Sequence, residues 1–284
     1  MTSIGTPRAR QAPTRRSRQG ARAAATRGAI PWPLTIPALL AALFLLVPLA
    51  GLLVRAPWVG LPGILADSQV RQALRLSLVC ASAATAVSLA VGVPLAWVLA
   101  RSRARGISVL RALVTLPLVL PPVVGGVALL LAFGRQGILG RLLDEWTGIT
   151  LPFTTAGVII AETFVAMPFL VITVEGGLRS IDSRYEDAAA TLGAGWFTTF
   201  RRVTLRLLAP SLIAGVALAW ARALGEFGAT ITFAGNIQGR TQTTPLAVYL
   251  LLETQPAVAI ALSLVLLAVS IVVLVSLRDR WFGV

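Results

Sequence analysis

Six runs of apolar residues, each of about 20 residues or more, divide this chain at roughly 34–54, 73–100, 110–133, 153–175, 208–231 and 256–277. About 20 consecutive apolar residues are what a helix needs to cross the hydrocarbon core of a bilayer. Every backbone amide must find its partner within the chain in that solvent, so runs of this length become helices. The expected fold class is an all-α membrane protein with six transmembrane helices. A mean hydropathy of +0.83 and a charged fraction of 13% agree, since soluble domains carry about 25% charged residues.

Six crossings put both termini on one side, and arginine decides which. The chain has no lysine and no histidine, so all 25 basic residues are arginine. With the N-terminus inside, eighteen arginines fall on the inner side and six on the outer, and Arg222 is left within a span. Inner loops carry the excess of basic residues. Both termini and the loops at 101–111 and 176–210 are therefore expected in the cytoplasm. Residues 1–30 hold Arg8, Arg10, Arg15, Arg16, Arg18, Arg22 and Arg27 and no acid. They read as a disordered basic cytoplasmic tail held at an anionic leaflet. The tail has no aromatic residue to stack a base and no fold, so no nucleic-acid partner is expected. Residues 31–284 make the transmembrane domain.

Composition also removes whole classes of chemistry. A phosphate-binding Walker loop needs its lysine, so this chain carries no ordinary ATPase site. Without histidine, and with Cys80 as the single cysteine, no intrachain disulfide or CxxC metal site is possible. No catalytic residue, metal or cofactor is expected on this chain.

The loop at 176–210 is the longest polar interruption after the tail. Ser183 and Glu186 have the spacing of a capping box. Glu186 and Asp187 fall in the first turn, where the helix dipole favours negative charge. Ala188, Ala189 and Ala190 propagate the helix, and Gly193 can take the left-handed conformation that ends it. A helix of roughly ten residues is marginal in water alone. It needs a surface to dock on, either its own bundle or another subunit.

Two membrane stretches carry further signals. The third run contains Pro117, Pro121 and Pro122, followed by Gly125 and Gly126. Proline removes backbone bonds, and the freed carbonyls need protein or water. Either a bent helix lines a pathway and flexes, or a static kink packs closely through its glycines. In the fifth run Arg222 lies about 14 residues from the start, near mid-bilayer at ~1.5 Å per residue. Glu226 is one turn further on and can pair with it. Arg222, Glu226, Gly225, Gly228 and Thr230 are pathway or gate candidates, with Pro121 and Pro122; the alternative for the ion pair is a purely helix-locking role. Glu162 and Glu175 are expected at the ends of the fourth span or facing the bundle, because carboxylates do not face lipid cheaply. The loop at 134–152 is expected outside, where it contacts a delivering protein or simply anchors Trp146 at the interface.

These residues also carry a resemblance. Asp187-Ala188-Ala189, three residues, Gly193, nine residues, then Val203-Thr204-Leu205 resembles the cytoplasmic loop of importer permeases of the ATP-binding-cassette superfamily. The chain departs from that pattern in having Asp187 in place of glutamate and Arg206 in place of proline. The proline-rich block of the third run resembles the same family. Leu224-Gly225-Glu226-Phe227-Gly228-Ala229-Thr230-Ile231-Thr232-Phe233, with Gly235-Asn236 and the stretch from Gly239 to Tyr249, is similar to the permease subunit of molybdate importers. Sulfate permeases have a similar Gly-Glu-Phe/Tyr-Gly block, so sulfate or tungstate is the alternative cargo.

The resemblance implies an importer-permease fold in a prokaryotic cell membrane. It implies a pathway built by two permease copies as a homodimer, each docked on a cytoplasmic ATPase through the helix at 183–193. ATP and magnesium would sit on that partner, and an extracytoplasmic oxyanion-binding protein would deliver the cargo. Two other classes fit the sequence less well. An ion-coupled secondary transporter usually shows an inverted repeat, and none is detectable. An intramembrane enzyme needs a nucleophile, a base or a metal set that this composition lacks.

Overall fold

The computed structural model describes residues 32–281, and among them there are helices and no strand. The basic tail predicted at 1–30 lies outside the described residues. The chain divides into two compact units, Met1–Val54 and Arg55–Val284. The first contains α1 (Trp32–Val54), which stays helical through Pro37 and Pro48.

The second unit runs through α2 (Leu61–Ala66), α3 (Ser68–Arg101), α4 (Ile107–Val119), α5 (Pro122–Phe133), α6 (Gly140–Thr147) and α7 (Thr155–Ser180). It continues with α8 (Arg184–Thr191), α9 (Trp196–Leu224), α10 (Gly228–Phe233), α11 (Thr244–Thr254) and α12 (Pro256–Trp281). Five helices, α1, α3, α7, α9 and α12, are long and apolar enough to cross a membrane. The pair α4 and α5 makes a sixth crossing if the two count as one span.

Local chemistry sets the helix starts. Asp67 Oδ1 accepts from the amides of Gln69 at 2.8 Å and Val70 at 3.2 Å, which opens α3. The Thr154 hydroxyl accepts from Gly157 N at 3.0 Å and opens α7. At ~1.5 Å per residue, the 34 residues of α3 reach about 50 Å, well beyond a hydrocarbon core of about 30 Å.

The core lies where α3, α7 and α9 pack on one another. Apolar contact gives no advantage over lipid, so such helices associate by close approach of small residues and by polar bonds between them. Ala84 and Ala96 of α3, Ala166 of α7, and Ala219 and Ala223 of α9 are fully buried there, with Leu170 filling the space between. Trp220 Nε1 donates to Ser82 Oγ at 3.2 Å across α9 and α3, and Thr244 N donates to Ser77 Oγ at 2.6 Å.

Two of the predicted spans need correction. The run at 110–133 is bent as its prolines predict, but the break is complete: the chain turns by 119° from α4 to α5. The run at 208–231 is not one helix either. It belongs to α9, which starts at Trp196 and ends at Leu224, and to the short α10 beyond.

Candidate functional site

The bend between α4 and α5 follows from its prolines. A residue before proline is pushed out of the helical region by the ring. Leu120 precedes Pro121 and takes φ −69°, ψ 131°; Pro121 precedes Pro122 and takes φ −54°, ψ 131°. Two successive extended residues end α4, and Pro122 opens α5 at a position where no amide is needed. The segment from Gly225 to Phe227 breaks the other helix in a similar way. Gly225 N donates to Ala221 O at 3.3 Å and Glu226 N to Ala223 O at 3.0 Å, so the freed backbone is satisfied within the chain.

The two broken segments, far apart in sequence, lie against each other. Side-chain-free faces make this possible. A Cβ on Gly126 would lie 2.7 Å from Thr232 Cβ and 2.8 Å from the carbonyl of Ala229. Gly228 in turn meets Pro122. The structure thus brings Pro122 and Gly228 together, with Pro121 and Thr230 in the same two segments.

Glu226 spans the second break. Its Oε2 pairs with Arg222 Nη2 at 2.5 Å, and its Oε1 accepts from Ala229 N at 2.8 Å. One oxygen therefore holds the end of α9 and the other the start of α10. Glu226 is 1% exposed while Arg222 keeps 27%. Arg222 stands two residues from the end of α9, not midway along a continuous span as expected from its position in the apolar run. Gly225 stops the helix there. Thr230 is fully buried, and its hydroxyl has no hydrogen-bond partner among the described residues. Glu162 of α7 faces the bundle, buried, with Oε2 equally unpartnered.

Glu175 also faces inward and gathers charges that the sequence alone did not group. Arg111 Nε lies 2.9 Å and Arg179 Nη2 3.0 Å from its Oε1. Both guanidinium groups also donate to the carbonyl of Leu99, at 3.1 and 3.3 Å. The end of α3, the start of α4 and the end of α7 are tied at one point.

The polar loop holds α8 and the first turns of α9. Gly193 has φ +77°, as its role of helix stop requires. Ala194 N donates to Ala189 O and Gly193 N to Ala190 O, each at 3.0 Å, which is the Schellman pairing. The capping box does not form. Ser183 has helical angles and makes no side-chain cap, and Asp182 Oδ1 accepts from Arg184 N at 2.9 Å instead. Glu186 is drawn away to Arg101, with Nη2 2.7 Å from its Oε1, and to the Thr204 hydroxyl at 3.0 Å. A charged partner 85 residues away outcompetes the local amide. Asp187 is exposed and has no ion pair among the described residues. Tyr185, Leu192, Trp196 and Phe197 expose large apolar surface on this loop. Glu186, Asp187, Trp97, Trp196 and Phe200 line a cleft of about 310 Å³.

Long apolar helices around a sharply bent pair, with a polar helical loop between α7 and α9, are the build of a transport permease. The fold is that of a chain in the crystal structure of a bacterial ABC transporter involved in the import of the acidic polysaccharide alginate, with a TM-score of 0.68. That superposition covers 94% of this chain and 97% of the other at 17% identity, so the likeness is one of fold. The chain belongs to the family of binding-protein-dependent transport system inner membrane components, which matches residues 92–283. It is 48% identical over 245 residues to the molybdenum transport system permease protein ModB of Mycobacterium tuberculosis, covering 86% of this chain and 92% of that one. It is 38% identical over 241 residues to the sulfate transport system permease protein CysT of Salmonella typhimurium, covering 83% and 86%. The chain is thus a multi-pass membrane component of a transport system.

Proposed function

We propose that this chain is the membrane-spanning permease subunit of an ATP-driven oxyanion importer, with molybdate as its cargo. The observation that carries the reading is the 48% identity to a ModB permease across 86% of the chain. The family match at 92–283 supports it, because it contains the bent pair, the polar loop and the break after Leu224.

In this reading two copies of the chain form one pathway. Each docks a cytoplasmic ATP-binding-cassette ATPase through the helix at 183–193. Asp187, free of any ion pair among the described residues, and the exposed apolar side chains beside it offer the contact. ATP and magnesium sit on the ATPase, since a chain without lysine supplies no Walker loop. An extracytoplasmic binding protein delivers the oxyanion to the outer face. The arginine excess puts both termini and the docking loop in the cytoplasm, with residues 1–30 as a basic tail and 31–284 as the permease domain.

ATP binding closes the two ATPases, draws the docked loops together and opens the pathway outward; hydrolysis resets it. Energy enters as the difference in ATP affinity between the two states. Pro121, Pro122, Gly225, Gly228 and Thr230 lie where the helices change direction and form the gate. The Arg222–Glu226 pair carries little net charge, so a dianion meets it weakly and in passing. Most selectivity then belongs to the binding protein.

The CysT relative keeps sulfate as the second reading. Uptake of radiolabelled molybdate, by cells expressing the chain with its ATPase and binding protein, separates the two. Molybdate uptake that persists in excess sulfate supports the reading, and uptake abolished by equimolar sulfate makes sulfate the cargo.

A further inference from the structure

One carboxylate oxygen joins three elements at the end of α3. Glu186 Oε1, in the first turn of α8, is 2.7 Å from Arg101 Nη2 and accepts the Thr204 hydroxyl at 3.0 Å. Arg101 is the last residue of α3. Thr204 closes a π-helical turn, Phe200–Thr204, near the start of α9. The three residues therefore connect the short loop helix to two long helices of the core.

Thr204 differs from three threonines in the interiors of the long helices. Thr85, Thr163 and Thr173 donate to the carbonyl four residues earlier in their own helices. Thr204 is 1% exposed and donates to Glu186 instead. Its turn is wound one residue wider than an α-helix, a local irregularity frequent at functional sites. Aromatic rings back the junction. The Arg101 guanidinium lies 5.5 Å from the Trp97 ring; that ring meets Phe200 edge-on at 5.3 Å; and Phe200 stacks on Trp196 at 5.8 Å.

Glu186 and Asp187 are adjacent but face different ways. Asp187 is exposed with no ion pair among the described residues, whereas Glu186 is committed to the bundle. A helix of eight residues has little stability of its own. Pushed from outside, it would bend its loop rather than move a core helix unless something stiff connected them. A short charge-assisted bond with fixed geometry is such a connection.

We infer that Glu186 is the positioning residue that carries displacement of the loop helix into α3 and α9, acting through Arg101 and Thr204 without touching ATPase or cargo. This rests on the reading that 183–193 docks the ATPase. The test uses the complete complex of permease, ATPase and binding protein in proteoliposomes, with ATP hydrolysis and molybdate import measured together. Glu186→Gln retains the ATPase and keeps hydrolysing ATP, but molybdate imported per ATP falls about tenfold, the size of an ordinary coupling energy. Thr204→Val lowers the same ratio by less. Arg101→Glu alone is as poor as Glu186→Gln, and Arg101→Glu with Glu186→Arg recovers much of the ratio by exchanging the charges across the same contact.

An unchanged ratio in Glu186→Gln overturns the inference. So does loss of the ATPase from that variant, which would assign Glu186 to the docking face. Charge exchange that inserts and retains the ATPase but recovers nothing overturns it as well. Failure of the docking reading itself is visible separately, as a wild-type chain that does not hold the ATPase.

Discussion

Gly228 lies so close to Pro122 that a Cβ on the glycine would sit 2.8 Å from the proline Cβ and 3.1 Å from Val123 N. The contact joins the start of α10 to the start of α5, the two places where helices break inside the apolar region. Gly228→Ala must push these segments apart, at the usual overpacking cost of about 1–3 kcal/mol. Gly225→Ala is the control, because its nearest neighbour would be Ala221 O at 3.6 Å, an ordinary contact. Thermal unfolding in detergent should show a lower Tm for Gly228→Ala and little change for Gly225→Ala. Equal Tm values for both would mean that the two segments are not held in register by this contact.

Arg222 protects a carboxylate that is almost fully buried. Arg222→Ala leaves that charge uncompensated, which costs about 3–5 kcal/mol for a buried pair. The amount of folded permease recovered from membranes should drop. Adding Glu226→Gln should restore part of it, because the amide oxygen can still accept from Ala229 N while the charge is gone. Normal assembly and ATP turnover in Arg222→Ala, with anion uptake abolished, would instead make Arg222 a ligand of the pathway.

Gly193 tests the loop through its backbone alone. It has φ +77° and a Cβ there would meet nothing within 4 Å, so any effect of Gly193→Val comes from conformation. The left-handed region costs an ordinary residue roughly 1–2 kcal/mol, and more for a branched one. The variant should insert normally yet retain less ATPase on purification and transport less. Retention and transport at wild-type levels would remove the dock from this helix.

Orientation can be read by chemical labelling. Cys80, the one cysteine, is fully buried and can be replaced by alanine. Single cysteines at Gln238 and Ser183, both exposed, are then treated in intact cells with a membrane-impermeant thiol reagent. Labelling is expected at 238 only. Labelling at 183 would invert the topology drawn from the arginines.

Hydropathy made most of the crossings legible, because span length is a property of the bilayer and not of tertiary contacts. The Arg222–Glu226 pair and the stop at Gly193 were equally legible, since both depend on spacing within one turn. The break after Leu224 was not. Ala229, Ile231 and Phe233 continue the apolar run beyond it, and hydropathy is the same for one helix as for two. The prolines announced a break near Pro121, but the 119° angle is specified together with the packing of Gly126 and Gly228 on distant residues. The capping box failed for a related reason. Glu186 had a suitable local amide, yet Arg101 and Thr204, invisible at that range in sequence, offered a stronger partner. In the Arg111–Glu175–Arg179 cluster only the one-turn spacing of Glu175 and Arg179 was visible in sequence; the place of Arg111 depends on α4 and α7 meeting.

The proposal that a separate ATPase drives this permease is tested most directly by its energy source. Proteoliposomes containing the chain, its ATPase and the oxyanion-binding protein are loaded with molybdate outside, and uptake is followed with ATP or with an imposed ion gradient. Uptake should require both ATP and the ATPase subunit and should be indifferent to collapse of the gradient. Uptake driven by the gradient alone, in vesicles that contain no ATPase, would contradict the account.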